Sequence, residues 1–151
     1  MSFQTAAGRP AYVVNVEVFL RREDRWLLIR RGAEAHAAHT LAGVGGKVED
    51  QGFVQDVIEQ TARREVMEEV GVDLTGVAFS YARSSLFVTD DGDPVVNVAL
   101  CAALPDGQTP YPASPHEVAE VLWLTLDEAF ADPNCPVWTQ RTLTAAAAAL
   151  L

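Results

Sequence analysis

The sequence is short of cysteine, of basic residues and of long apolar runs, and each shortage narrows what the chain can be. It holds two cysteines, Cys101 and Cys135, in 151 residues. Two thiols cannot supply the framework of bridges that stands in for a core in small exported domains. The start, Met1–Gly8, has no charged segment followed by an apolar one, so a reduced, cytoplasmic protein is expected. The longest apolar runs, Ala145–Leu151 among them, fall far below the ~18 residues of a membrane span, which argues against a membrane role. Lysine and arginine number 11 against 21 acidic residues, a net charge of −10. Such a surface repels phosphate backbones and argues against general DNA or RNA binding. An anionic small-molecule substrate would need a cation to bring it in.

No repeat, linker or low-complexity block divides the chain. Its length suits one domain over residues 1–151, with residues 1–10 as a mobile terminus. Tyr12–Leu20 alternates in places and is rich in β-branched residues, which predicts a strand. Arg21–Asp24 reads as a polar turn and Trp26–Ile29 as the returning strand. Residues 32–40 read as a loop containing His36 and His39. Leu41–Glu49 carries three glycines around Val44, a composition that lets another group approach the backbone.

Asp56–Val70 is the clearest helix. Ile58, Ala62, Val66 and Val70 form one apolar stripe, Asp56 and Glu59 have capping-box spacing, and Gly71 provides the stop. Strands are expected again at Val77–Ser80, Ser85–Thr89, Val95–Ala102 and Val121–Leu124, with a turn at Asp90–Pro94 and a loop over residues 105–116. Helices are expected from Leu126 and over Val137–Leu151. Mixed strands with two or three helices predict an α/β or α+β fold, with helices packed on a mixed sheet. Phe19, Trp26, Tyr81, Phe87, Trp123 and Trp138 are expected in the core, although one could stack on a base, and Cys101 is expected to pack as a small hydrophobe.

Chemistry concentrates in Arg64-Glu65-Val66-Met67-Glu68-Glu69-Val70-Gly71-Val72. On a helix, Glu69 lies about 40° around the axis from Glu65, and Glu68 about 60° to the other side. The three carboxylates share one face while Val66 and Val70 turn to the core. An acidic helix face is commonly a solvated surface. Three carboxylates are also a good site for a hard divalent ion, and loop N–H groups beside them suit a phosphate.

Gly46 followed by this run resembles the Nudix box, G-x5-E-x7-R-E-U-x-E-E-x-G-U, where U is aliphatic. Every fixed position from Arg64 onward is present. The pattern places the arginine fourteen positions after the glycine; here the separation is eighteen, so the loop carries four extra residues. The acid eight before Arg64 is Asp56, and Glu49 and Glu59 are rival candidates for that place.

The resemblance implies the family's α/β/α sandwich and a metal-dependent pyrophosphohydrolase. Glu65, Glu68, Glu69 and a backbone carbonyl near Gly45–Gly46 would hold Mg²⁺ or Mn²⁺. Arg64 would orient a glutamate, and one of these glutamates or a later acid would deprotonate water; Arg64, Glu65 and Glu68 are the catalytic set. Gly45, Gly46 and Lys47 would form a substrate phosphate loop. Glu117 and Glu120, just before the Val121 strand, are candidates for an additional acid.

The substrate implied is a small nucleotide or nucleotide derivative. The Leu41–Val48 segment resembles members acting on nucleoside triphosphates, damaged ones included. Alternatives are a pyrophosphatase for ADP-ribose or a nucleotide sugar, and a non-hydrolytic Nudix-fold binding module. The later proline common in ADP-ribose-type members and the SQPWPFP-like segment of NADH-cleaving members are both absent, and neither cysteine is placed as in the isopentenyl diphosphate isomerases. A homodimer is left open.

Overall fold

Alternation along the first strand decides the layering. In the computed structural model, which describes residues 4–150, Val13–Arg22 form β1. Val16, Val18 and Leu20 enter one apolar cluster and Phe19 the other, on the opposite face of the strand. β1 returns as β2, Arg25–Arg31, with Leu20 opposite Leu27 and Arg22 opposite Arg25. The turn is therefore Glu23-Asp24 alone, shorter than the expected Arg21–Asp24. Glu23 takes the positive φ of 56° that tight hairpin turns favour. Arg21 and Arg22 stay in the strand and lie over the Trp26 and Trp123 rings, at 5.6 and 5.4 Å.

Toward the start of β1 the hairpin splays, and Leu41–Lys47 enters the fork. β3, Leu41–Ala42, pairs with β2; β4, Val44–Lys47, pairs with β1. Gly43 is the crossing point between them. The other edge of β1 takes β6, Pro94–Ala103, in parallel, from Val13 opposite Val95 to Arg21 opposite Ala103. β5, Ser80–Val88, lies antiparallel outside β6, and β7, Val118–Leu124, lies against β2. The result is a seven-stranded mixed sheet.

Helices cover both faces. α1, Val57–Val70, packs Ala62, Val66 and Val70 onto the Val16–Val18–Leu20 side. α2, Leu126–Ala131, and α3, Val137–Ala149, supply Ala129, Leu143 and Ala146 to the Phe19 side. This is the expected helix–sheet–helix sandwich, with Cys101 and Cys135 both free and buried in its second cluster. Among the described residues no helix is long and apolar enough to cross a membrane.

Several local readings change. Val77–Ser80 and Ser85–Thr89 are not two strands. Residues 80–88 form one strand with an irregularity between Tyr81 and Arg83, and Val77 instead closes a turn onto Leu74. β7 begins at Val118, three residues earlier than expected. Asp56 does precede α1, but at φ 55° and ψ 40°, with no side-chain capping bond, so no capping box forms. A capping carboxylate needs an extended N-cap residue; a left-handed one aims the side chain elsewhere. Gly71 does stop the helix, at φ 68°, its N–H donating to the Met67 carbonyl at 3.0 Å. Phe19 and Trp26 are buried, whereas Tyr81 and Trp138 are exposed, contrary to expectation. Of the expected mobile terminus, residues 1–3 lie outside the described residues. Residues 4–10 form a small exposed turn closed by a Gln4–Pro10 bridge.

Candidate active site

The fork in the hairpin presses the glycine strand against the acidic face of α1. A Cβ at Gly46 would fall inside the Glu65 carboxylate, so only glycine permits this approach. One residue earlier, the Gly45 N–H donates to Glu69 Oε2 at 2.9 Å. Glu65 and Glu69 are consequently buried, while Glu68, on the outer side of the same face, is about half exposed.

Arg64 ties the loop, strand and helix together. Its Nη1 donates to Glu65 Oε1 at 2.8 Å and lies 3.4 Å from Glu49 and 3.5 Å from Glu68, and its Nη2 donates to the Lys47 carbonyl at 3.0 Å. Of the three acids considered for the early box position, Glu49 is the one in contact with Arg64. Burial opposes the Arg64 charge, but Glu65, Glu49 and Glu68 together hold its pKa above the usual value. Arg64 Nε is the only buried side-chain nitrogen or oxygen among the described residues without a hydrogen-bond partner. It is a donor available to an anion or water.

Residues 105–117 return across the end of α1. The Tyr111 and Ala113 N–H groups donate to the Val70 and Glu69 carbonyls at 3.1 and 2.9 Å. That path carries Glu117 to the acidic face, where its charge acts on both Glu65 and Glu69. Glu120 does not reach them. It lies within β7 opposite Arg30, whose guanidinium holds Asp132 with two bonds of 2.9 and 3.2 Å. Lys47 contributes its carbonyl to Arg64. His36 stacks on Phe87 and meets Asp90 at 3.2 Å, tying the 32–40 loop to the tip of the β5–β6 hairpin.

Two further residues act on this face without any motif in the sequence marking them. Arg31 lowers the pKa of Glu69 from a distance, and Glu17 receives the Gly43 N–H. The only sequence sign of Glu17 is a charged residue at an inward position of a strand.

The carboxylates are crowded and poorly compensated. Burial raises the Glu65 pKa to about 7; Glu68 and Glu117 add to the rise and Arg64 opposes it. Burial, then Glu65 and Glu117, raise Glu69 to about 8 against the Gly45 N–H. Between the ordinary value near 4.5 and these values, the folded protein holds more protons than the unfolded one. Stability therefore falls as pH rises through that window. Without divalent cations the melting temperature is expected to fall from about pH 5 to about pH 8 and then level off. Millimolar Mg²⁺ should flatten or reverse the slope, because a cation favours the ionised carboxylates. A flat profile in chelator would mean that the two carboxylates are hydrated rather than buried.

The donor set suits a hard divalent ion: carboxylates on one face, a glycine backbone against them and unneutralised negative charge. As the side chains stand, no three acidic, imidazole or thiol groups among the described residues are gathered at ligating distance. Glu69 is turned to Gly45 and Glu65 to Arg64, so binding requires side-chain rotation.

A sequence profile of the NUDIX domain matches residues 11–145. No curated protein matches the chain in sequence. Among solved structures, the MutT NUDIX hydrolase from Burkholderia pseudomallei superposes with a TM-score of 0.73 at 23% identity, covering 89% of this chain and 97% of that one. The NUDIX domain of Shewanella oneidensis NrtR, complexed with ADP ribose, gives 0.74 at 17% identity, covering 97% and 94%. A C. elegans Ap4A hydrolase gives 0.71 at 16% identity, covering 92% and 96%. At these identities the likeness is one of fold.

Proposed function

The chain belongs to the NUDIX family of hydrolases, and from that premise we propose that it cleaves the anhydride bond of nucleoside triphosphates, damaged ones included, with the help of a divalent metal. The observation that carries the reading is the pair of buried carboxylates, Glu65 and Glu69, set against the Gly45–Gly46 backbone with Glu68 and Glu117 beside them.

Glu65, Glu68, Glu69 and the Gly46 carbonyl would hold Mg²⁺ or Mn²⁺. Such an ion neutralises charge on the phosphoryl oxygens and lowers the pKa of water. The protein's own groups do the rest. The Gly45 N–H orients Glu69. Arg64 holds Glu65 and keeps Glu49 and the Lys47 carbonyl in register with the helix. One of the carboxylates on this face, Glu65, Glu68 or Glu69, or the later acid Glu117, takes the proton of the attacking water. The water oxygen bonds to one phosphorus, the bridging P–O bond breaks, and the bridging oxygen leaves with the other phosphate.

The resemblance of the Leu41–Val48 segment to members acting on nucleoside triphosphates is what supports a triphosphate over ADP-ribose. A phosphate-release panel should include nucleoside triphosphates, oxidised purine triphosphates, ADP-ribose, dinucleoside polyphosphates and a nucleotide sugar, with Mg²⁺. The expected result is turnover led by a triphosphate. Preference for ADP-ribose would replace the substrate while keeping the chemistry, and binding without turnover would point to a non-hydrolytic module. Activity should need millimolar Mg²⁺ or Mn²⁺ and vanish in EDTA, since the carboxylates alone repel the substrate. Full turnover in chelator would overturn the mechanism.

A further inference from the structure

Glu17 is a partly buried charged side chain, hydrogen-bonded within the sheet, that the proposed reaction leaves without a part. It stands on β1 opposite Gly45 of β4 and Ala99 of β6. Its Oε2 accepts the Gly43 N–H at 3.0 Å and its Oε1 accepts Asn97 Nδ2 at 3.1 Å. Asn97 Oδ1 in turn accepts Asn15 Nδ2 at 2.8 Å. Burial raises the Glu17 pKa, opposed by Asn97, Gly43 and Arg31. A carboxylate in such a place is costly unless hydrogen-bonded, and alanine or valine would fill a strand position more cheaply.

The position of Gly43 gives the cost a purpose. Residues 41–42 pair with β2 and residues 44–47 with β1, so Gly43 belongs to neither ladder. A Cβ there would lie 2.8 Å from the Val18 carbonyl oxygen, 2.9 Å from Phe19 Cζ and 3.0 Å from Glu17 Cγ, so the crossing is tight. The Gly43 N–H is secured by Glu17. Two residues on, the Gly45 N–H orients Glu69, and the next residue lies against Glu65.

We propose that Glu17 is a positioning residue for the hydrolytic site: by holding Gly43 it fixes the strand where it changes partners, and so the register at which Gly45 and Gly46 meet Glu69 and Glu65. This rests on the function proposed above, and its test includes readings that need no turnover. Glu17→Gln keeps one carbonyl acceptor and cannot satisfy both donors as the carboxylate does. Asn97→Ala removes the other donor and leaves the Gly43 bond.

In ¹H–¹⁵N spectra of metal-free protein, Glu17→Gln should move the Gly43 amide upfield and shift Gly45 as well, with the melting curve still cooperative. Mn²⁺ binding, followed by electron paramagnetic resonance, should weaken about tenfold, and kcat on the best nucleotide should fall about tenfold or more with KM within about twofold. Asn97→Ala should leave the Gly45 resonance and kcat near wild type.

A Gly45 resonance that stays in place while Gly43 moves would overturn the proposal. So would a KM effect confined to one nucleobase, which would make Glu17 a substrate contact. Loss of folding in Glu17→Gln, with Asn97→Ala still folded, would assign Glu17 to stability alone. Coupled Gly43 and Gly45 shifts in a protein that neither binds Mn²⁺ nor turns over any nucleotide would sustain the positioning role and sink the hydrolase reading instead.

Discussion

Glu69→Gln is expected to lower kcat by about two orders of magnitude or more, while raising the melting temperature of the metal-free protein at alkaline pH. The substitution keeps the side chain's size and a carbonyl oxygen able to accept the Gly45 N–H, so the strand–helix contact survives. It removes the carboxylate that would supply negative charge to the proposed divalent ion. Glu69 holds its proton up to about pH 8, because burial and the charges of Glu65 and Glu117 disfavour ionisation. Below that pH the wild-type side chain is largely neutral and glutamine changes little. Above it, wild type must bury a charge that the variant lacks. Glu68→Gln is the companion measurement. Glu68 is half exposed, so relief of its repulsion with Glu65 is worth only a few tenths of a kcal/mol, but the loss of turnover should also be large. Wild-type turnover in both variants would make the acidic face a solvated surface and the functional reading wrong.

Val66→Asp should do the opposite: it should abolish folding, and with it every other property. Val66 is next to Glu65 in sequence, fully buried, and belongs to the cluster that joins α1 to Val16, Val18 and Leu20. An aspartate there meets no cation and no hydrogen-bond donor among its apolar neighbours. The expected cost, about 4 kcal/mol or more, consumes most of the stability of an ordinary domain. Circular dichroism should show no cooperative melting transition near room temperature. A folded Val66→Asp protein with wild-type activity would mean that α1 docks through a different face.

The two variants divide one helix into site and scaffold, and that division is readable from the sequence because helical rotation is regular. The spacing alone puts Glu65, Glu68 and Glu69 together and Val66 and Val70 opposite, and the core is built that way. Features that depend on where the backbone travels are not readable in the same manner. Asp56 has cap spacing, but its left-handed conformation follows from how the loop enters α1. Glu49, Asp56 and Glu59 are equivalent as letters, and only the loop path takes Glu49 to Arg64. Glu117 and Glu120 are likewise similar candidates. The shift in the β2–β7 register between Arg30 and Arg31 leaves Glu120 beside Arg30, while Glu117 faces the carboxylates. Arg83 and Ser84 interrupt the apolar pattern of β5, so the sequence suggests two strands there, although the ladder with β6 continues beyond the irregularity. The role of Glu17 depends on two strands far apart in sequence, Leu41–Lys47 and β6, so no local pattern announces it.

The four extra residues between Gly46 and Arg64 now have a simple thermodynamic reading. Both ends of residues 48–56 are anchored before the segment begins: Lys47 by β1 and Arg64, and Val57 by the helix it opens. Gly52 and Phe53, at its crest, are exposed. Lengthening such a tether by four residues costs about half a kcal/mol of closure entropy, because the penalty grows only with the logarithm of length. An insertion of one residue inside α1 would instead rotate everything beyond it by about 100° and take Glu69 away from Gly45. The spacing of the signature is thus elastic across the tether and rigid along the helix. Length variants should be tolerated from 48 to 56 and rejected from Arg64 to Glu69.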